Sequence, residues 1–349
     1  MSPSDSTSDL PGLPSGPVQR WLRDALPETD LDGWDASIIS GGLSNITYRV
    51  AVADGRYILR RPPLGHVLPR AHDMAREYRI LDALWPTPVP VPEPIALCTD
   101  VEVAGAPFYL MREVAGEILR TPEQVAALSV QQRRGVGEAL IQALADLHAV
   151  DPDEVGLGDY GRREAYAARQ LRTWRGQWER SRTRELPDME RLLAILDDRV
   201  PPDTESRIAH GDYRLDNTIV SLDGDPSVEA ILDWELSTLG EPLGDLGLML
   251  TYWHDLGDDE RAQIPVAAGV TAHEGFPTGA EVAQRYAELT GRSLDHLDFY
   301  TALGTMKLAV ILEGVHSRYL SGLSVSDGYE GVGAAVPLLV ARGLQLVGR

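Results

Sequence analysis

From Thr121 onward the apolar residues return at helical spacing, as in Val136, Leu140, Leu144 and Leu147, and this pattern breaks once, between Ile208 and Leu246. The break holds the most unusual run of the chain: His210-Gly211-Asp212-Tyr213-Arg214-Leu215-Asp216-Asn217, then Thr218-Ile219-Val220, Leu222-Asp223-Gly224-Asp225-Pro226, and Val228 through Leu232 to Asp233-Trp234. Two β-rich runs around Asp223-Gly224-Asp225 read as a β-hairpin with its turn at those residues. Residue 225 is the midpoint of 217 and 233, so a hairpin closed there puts Asn217 and Asp233 at its open end, on strands about 4.8 Å apart. Asp212, a few residues upstream, reaches the same end.

An amide oxygen and carboxylates grouped in this way can share a hard cation such as Mg2+. Such a cluster suits phosphoryl transfer: Asn217 and Asp233 would hold Mg2+ on the phosphates, Asp212 would accept the proton of an attacking hydroxyl, and Arg214 would offset charge on the transferred group. Asp212, Asn217 and Asp233 are each, taken alone, more simply turn formers at strand ends, and Arg214 alone a solvated arginine; it is their joint spacing that points to chemistry.

The first third of the chain reads differently. Ser40 to Asn45 precedes the β-rich Thr47 to Val52, and Asp54-Gly55 then turns into Tyr57-Ile58-Leu59-Arg60. Met74, Tyr78, Leu81 and Trp85 recur at helical spacing, with Glu77 beside the apolar stripe and able to face inward. Five prolines between Pro86 and Pro94 end that helix, and Phe108 to Met111 reads as a buried strand leading to a connector at Glu113 to Gly116. The expected fold class is therefore α+β in two lobes. Residues 1–16 form a disordered tail, 17–115 a small lobe of antiparallel strands with one helix, and 116–349 a larger, mainly helical lobe.

Charge and cysteine content narrow the partners. The chain carries 32 Lys and Arg against 53 Asp and Glu, a net charge of −21, which repels nucleic acid and anionic membrane surfaces and would attract cationic small molecules. A single cysteine, Cys98, excludes an internal disulfide, a Cys-based zinc site and an iron–sulfur cluster, and fits the cytoplasm. No signal peptide and no membrane-length apolar run is visible. P-loop, zinc-peptidase and serine-hydrolase motifs are absent.

The segment around Asp212 resembles the catalytic and metal-binding loops of the aminoglycoside phosphotransferase family, relatives of protein kinases. His210, Asp212 and Asn217 keep the kinase loop spacing, and Ile231-Leu232-Asp233-Trp234 is similar to the family's metal-binding segment. The likeness is strongest to the branch that includes kinase-like domains fused to acyl-CoA dehydrogenases, which shares Gly41-Gly42-Leu43-Ser44-Asn45, Asp233-Trp234-Glu235 and the run from Lys307 to Gly314. It implies a bilobal protein-kinase-like fold and transfer of the γ-phosphoryl group of ATP or GTP to a hydroxyl of a small molecule, with Mg2+ as cofactor.

The resemblance also implies roles for residues of the small lobe. Arg60, paired with Glu77, would bind phosphates; Gly41, Gly42, Ser44 and Asn45 would cover them; and the backbone of Glu113 and Val114 would meet the adenine edge. Arg60 stands where the family has lysine, and the Gly41-Gly42 loop lacks the full G-x-G-x-x-G, so the donor stays open between ATP and GTP. Asp245 resembles a family aspartate that braces the catalytic loop. His210 reads as a structural brace, His148 as a packed or capping histidine, and Trp174 with Trp178 as a packing stripe. The acceptor stays open between a cationic, aminoglycoside-like antibiotic and a hydroxylated metabolite. The alternatives are an inactive kinase-like nucleotide-binding module and a protein that binds a small molecule without chemistry.

Overall fold

A computed structural model describes residues 10–39, 45–64, 72–322 and 331–348. Gly41, Gly42 and Ser44, expected to cover phosphates, lie outside the described residues, as does the stretch 1–9. The chain divides into two compact units, one of Met1–Ala115 with Ala230–Glu235, the other of Gly116–Glu229 with Leu236–Arg349.

The first unit is built on a five-stranded antiparallel sheet in the order β1-β2-β3-β5-β4. Its strands are β1 (Asp35–Ile38), β2 (Ile46–Val52), β3 (Gly55–Arg61), β4 (Pro94–Cys98) and β5 (Phe108–Arg112). The Asp54-Gly55 turn sets the register of β2 on β3, pairing Val50 with Tyr57 and Tyr48 with Leu59. All four of these side chains are buried, and Phe108 and Leu110 of β5 join them. Helix α2 (Met74–Leu84) is capped by Asp73, whose side chain accepts from the Arg76 amide at 3.1 Å, and it buries Ile80, Leu81, Leu84 and Glu77.

Residues 10–16, expected in the tail, are instead part of this unit. Leu13 is 2% exposed in the core, and α1 (Ser15–Ala25) begins two residues later, burying Val18 and Leu22 against the sheet. Burying each such side chain contributes about 1.5–3 kcal/mol, which outweighs the local Ser, Pro and Gly content. With the four-residue α3 (Val101–Ala104), this unit holds three helices among its described residues where one was expected.

The second unit is mainly helical: α4 (Pro122–Ala126), α5 (Val130–Ala149), α6 (Tyr166–Ser181), α7 (Pro187–Asp198), α8 (Leu243–Tyr252), α9 (Asp259–Ala262), α10 (Gly279–Thr290), α11 (Leu297–Leu320) and α12 (Val332–Val347). Capping boxes at Ser129/Gln132 and Thr278/Glu281 fix the starts of α5 and α10. The helical run gives way to β6 (Arg207–Ala209), which pairs antiparallel with β9 (Thr238–Gly240) and delivers the chain to His210. Between these strands β7 (Thr218–Ser221) and β8 (Ser227–Ile231) form a two-stranded sheet turning at Gly224, where φ is 78°. The architecture is α+β, with a small antiparallel β lobe and a larger, mainly helical one. Among the described residues no helix is long and apolar enough to cross a membrane.

Candidate active site

In the first unit the charged residues converge on Arg60. It lies on β3 opposite Tyr109 of β5, and its Nε is 3.0 Å from Glu77 Oε2 while its Nη2 is 2.6 Å from Asp233 Oδ1. Glu77 is 2% exposed, as the helical stripe implies. Tyr109 donates its hydroxyl to Glu77 Oε2 at 3.1 Å, and Asn45 donates its amide to Glu77 Oε1 at 3.1 Å. Burial drives the Glu77 carboxyl up to about 7, against the opposing pull of Arg60. Burial works against the Arg60 cation, but Tyr109, Glu77 and Asp233 outweigh it and hold the guanidinium charged.

Asp233 follows β8 with φ at 66°, a left-handed conformation rare for a residue other than glycine, and pairs with Arg60. Asn45 is 5% exposed and spends its amide on the buried carboxylate, so in this structure it acts as a brace for Glu77. At the connector, the Glu113 amide donates to the Arg56 carbonyl at 3.0 Å and the Glu113 side chain pairs with Arg49 at 2.7 Å. Val114 is the next residue, outside the strand.

In the second unit the loop after β6 is held by Asp245, at the N-terminal turn of α8 and fully buried. Asp245 Oδ2 accepts the His210 amide at 2.6 Å and Oδ1 the Gly211 amide at 2.8 Å. His148 Nε2 lies 3.3 Å from Asp245 Oδ2, and its Nδ1 is 2.7 Å from the Tyr286 hydroxyl. Burial would raise the Asp245 carboxyl, but His148, His210 and the Gly211 amide overcome it and leave the group below its usual range. Gly211 has φ at 82°, and a Cβ there would sit 2.5 Å from the Leu236 carbonyl oxygen, so only glycine fits.

Asp212 emerges from this brace half-buried. Its amide donates to His210 Nδ1 at 3.2 Å, and the side-chain amide of Asn217 donates to its Oδ2 and its carbonyl, both at 2.9 Å. Arg214 Nε lies 3.4 Å from Asp212 Oδ2, its Nη1 lies 3.0 Å from Asp216 Oδ2, and its guanidinium covers the Tyr252 ring at 4.7 Å. Burial raises the Asp216 carboxyl, partly offset by Arg214. Asp216 has no place among the sequence candidates; its only sequence signal is its position between Arg214 and Asn217.

An amide oxygen and a carboxylate are the kinds of oxygen donor that Mg2+ takes. Taken separately, Asn217 of the second unit commits its amide nitrogen to Asp212 and keeps an amide oxygen able to accept, while Asp233 of the first unit carries a carboxylate, one oxygen of which pairs with Arg60. Beside Arg214 lies a cavity of about 70 Å³ within the second unit. Its walls include Leu119, Met249 and Trp253, and its polar groups include Arg120, Arg214 and Asp216.

Residues 35–282 match the model of the phosphotransferase enzyme family, APH. The chain is 34% identical over 320 residues to acyl-CoA dehydrogenase family member 10 of Mus musculus, covering 90% of this chain and 29% of that protein. To family member 11 of Homo sapiens it is 35% identical over 312 residues, 87% of this chain and 39% of that one, so the chain spans well under half the length of either relative. A crystal structure of a candidate aminoglycoside phosphotransferase from Ralstonia eutropha JMP134 superposes with a TM-score of 0.82 at 31% identity, covering 95% of this chain and 97% of that one. The chain belongs to the aminoglycoside phosphotransferase family, with its protein-kinase-like fold. Within it, the chain falls in the branch that includes the kinase-like domains fused to acyl-CoA dehydrogenases.

Proposed function

We propose that this chain moves the γ-phosphoryl group of ATP or GTP to a hydroxyl of a small molecule, with Mg2+. The observation that carries this reading is the locked loop: Asp245 fixes the His210 and Gly211 amides, and Asn217 fixes the Asp212 carboxylate. A carboxylate held in this way can accept the proton of a hydroxyl without reorganising first. Arg214, also in contact with Asp212, would offset charge on the transferred group, and Arg60, braced by Glu77, would hold donor phosphates. Asn217 and Asp233 would hold Mg2+, which neutralises phosphate charge when bound. The carbonyl of Glu113 and the backbone of Val114 remain candidates for the adenine edge, with Gly41, Gly42 and Ser44 over the phosphates. The single, buried cysteine agrees with a place in the cytoplasm.

Thermal unfolding tests the donor half of this reading. Nucleotide at 100 times its Kd adds about 2.7 kcal/mol, so MgATP or MgGTP should raise the midpoint by several degrees, and by less without Mg2+. No shift with either nucleotide would move the weight to a module that binds a small molecule without chemistry.

The cavity beside Arg214 speaks to the acceptor. Two guanidiniums and one carboxylate, itself paired with Arg214, line a space whose other walls are largely apolar, with Tyr252 and Thr271 among them. A polycationic sugar would meet like charge there, so the cavity favours a hydroxyl carried on an uncharged or anionic, partly apolar body. ADP release should therefore be faster with short-chain diols or hydroxy acids than with kanamycin A at equal concentration. The opposite ranking would return the acceptor to the aminoglycosides.

A further inference from the structure

Lys307 lies in the middle of α11, where Thr305, Met306, Leu308 and Ala309 are all buried, and it is itself only 8% exposed. Its Nζ donates to the Gly211 carbonyl at 2.5 Å and sits 5.2 Å from the centre of the Trp174 ring. Trp174, a packing residue by its spacing, thus also forms an aromatic wall for a buried cation. Burial lowers the Lys307 pKa, while the carboxylates of Asp212 and Asp245 pull it back and Arg214 opposes them.

The Gly211 carbonyl and the Asp212 amide belong to one peptide plane. Lys307 holds its oxygen, and His210 Nδ1 accepts from its N–H at 3.2 Å. Rotation of that plane would re-aim the Asp212 side chain, and Gly211, at φ 82°, puts little steric resistance of its own in the way. Asp245 holds the preceding peptide through the Gly211 amide but does not touch the Gly211 carbonyl. Methionine would fill nearly the same volume without the cost of burying an ammonium.

We infer that Lys307 is a positioning residue for phosphoryl transfer, fixing the Gly211–Asp212 peptide so that the Asp212 carboxylate keeps its reactive orientation. The inference rests on the phosphotransferase reading and adds to it a residue from α11 that acts through the Gly211 carbonyl.

The test compares the parent with Lys307→Met, measuring melting, nucleotide KM and kcat per folded molecule, with ATP hydrolysis as a readout that needs no acceptor. The expected result is a melting midpoint at or above the parent's, a nucleotide KM within about threefold, and a kcat lower on the order of 100-fold, as for a misplaced reacting group. A merely structural lysine would lower the folded fraction and leave kcat per folded molecule unchanged, and that result overturns the inference. Should Lys307→Met fail to fold, the comparison passes to Lys307→Arg and Lys307→Gln. Turnover kept by the arginine and lost by the glutamine supports the inference, and any other ranking overturns it. A parent that neither transfers nor hydrolyses, with any acceptor, sinks the phosphotransferase reading and this inference with it, whereas an active parent matched by its Lys307→Met variant sinks the inference alone.

Discussion

Replacing Asp212 with alanine is expected to lower phosphoryl transfer by about 1,000-fold while nucleotide affinity stays within about threefold of the parent. The fold around the substitution should survive. Asn217 keeps its bond to the residue 212 carbonyl at 2.9 Å, Arg214 keeps Asp216 at 3.0 Å and the face of Tyr252, and the amides of His210 and Gly211 stay on Asp245. What is lost is the carboxylate that would receive the hydroxyl proton, so the defect should fall on kcat and leave the nucleotide KM nearly unchanged. Coupled ADP-release assays beside isothermal titration with the nucleotide give both numbers. A variant that turns over as fast as the parent would remove Asp212 from the mechanism, and a variant that loses nucleotide binding would make its role one of binding.

Much of this site could be read in the sequence because it is local. The turn at Asp223 to Asp225 and the spacing from Asp212 to Asn217 are short-range features, and the structure pairs β7 with β8 and joins Asn217 to Asp212 directly. Glu77 was legible for a similar reason: helical periodicity placed it beside an apolar stripe, and the structure buries it facing Arg60.

What the sequence hid is long-range or masked by composition. Nothing in the spacing of His148, Asp245 and Tyr286 says that they form one chain of hydrogen bonds, since α5, α8 and α10 bring them together only through packing. Lys307 falls in a run of buried residues, where periodicity marks a core helix but cannot show which backbone carbonyl the ammonium finds. At the N-terminus the opposite happened. The Ser, Pro, Asp and Gly of residues 1–16 suggest a tail, yet Val18, Leu22 and Leu26 recur every fourth residue just beyond it, and Leu13 within it is buried. Tertiary burial against Tyr48, Phe108 and Leu110 decides it in favour of a helix. Asn45 is a comparable case: its place in a Gly-Gly-x-Ser-Asn run suggested phosphates, whereas its amide nitrogen faces Glu77.

The largest stability loss is expected at Asp245. Alanine there leaves the His210 and Gly211 amides and His148 Nε2 without their acceptor in a fully buried place, a cost on the order of 3–5 kcal/mol. Asparagine should do little better, because one of the two accepting oxygens becomes an NH2 group that faces a donor. The pH dependence follows from the carboxyl lying below its usual 3.8 in the folded chain. A depressed carboxyl contributes its full stability above the unfolded pKa and loses it as pH falls through the folded one. Urea melts of parent and Asp245→Ala should therefore differ by a constant amount from neutral pH down to about pH 5, and the gap should close on further acidification. A gap under about 1 kcal/mol at pH 7, or one that widens in acid, would show that the buried aspartate does not brace this loop as a carboxylate. Because the same two amides place the residue before Asp212, the folded fraction of the variant should also have lost most of its turnover, which ties the most costly stability residue of the helical lobe to the chemistry it supports.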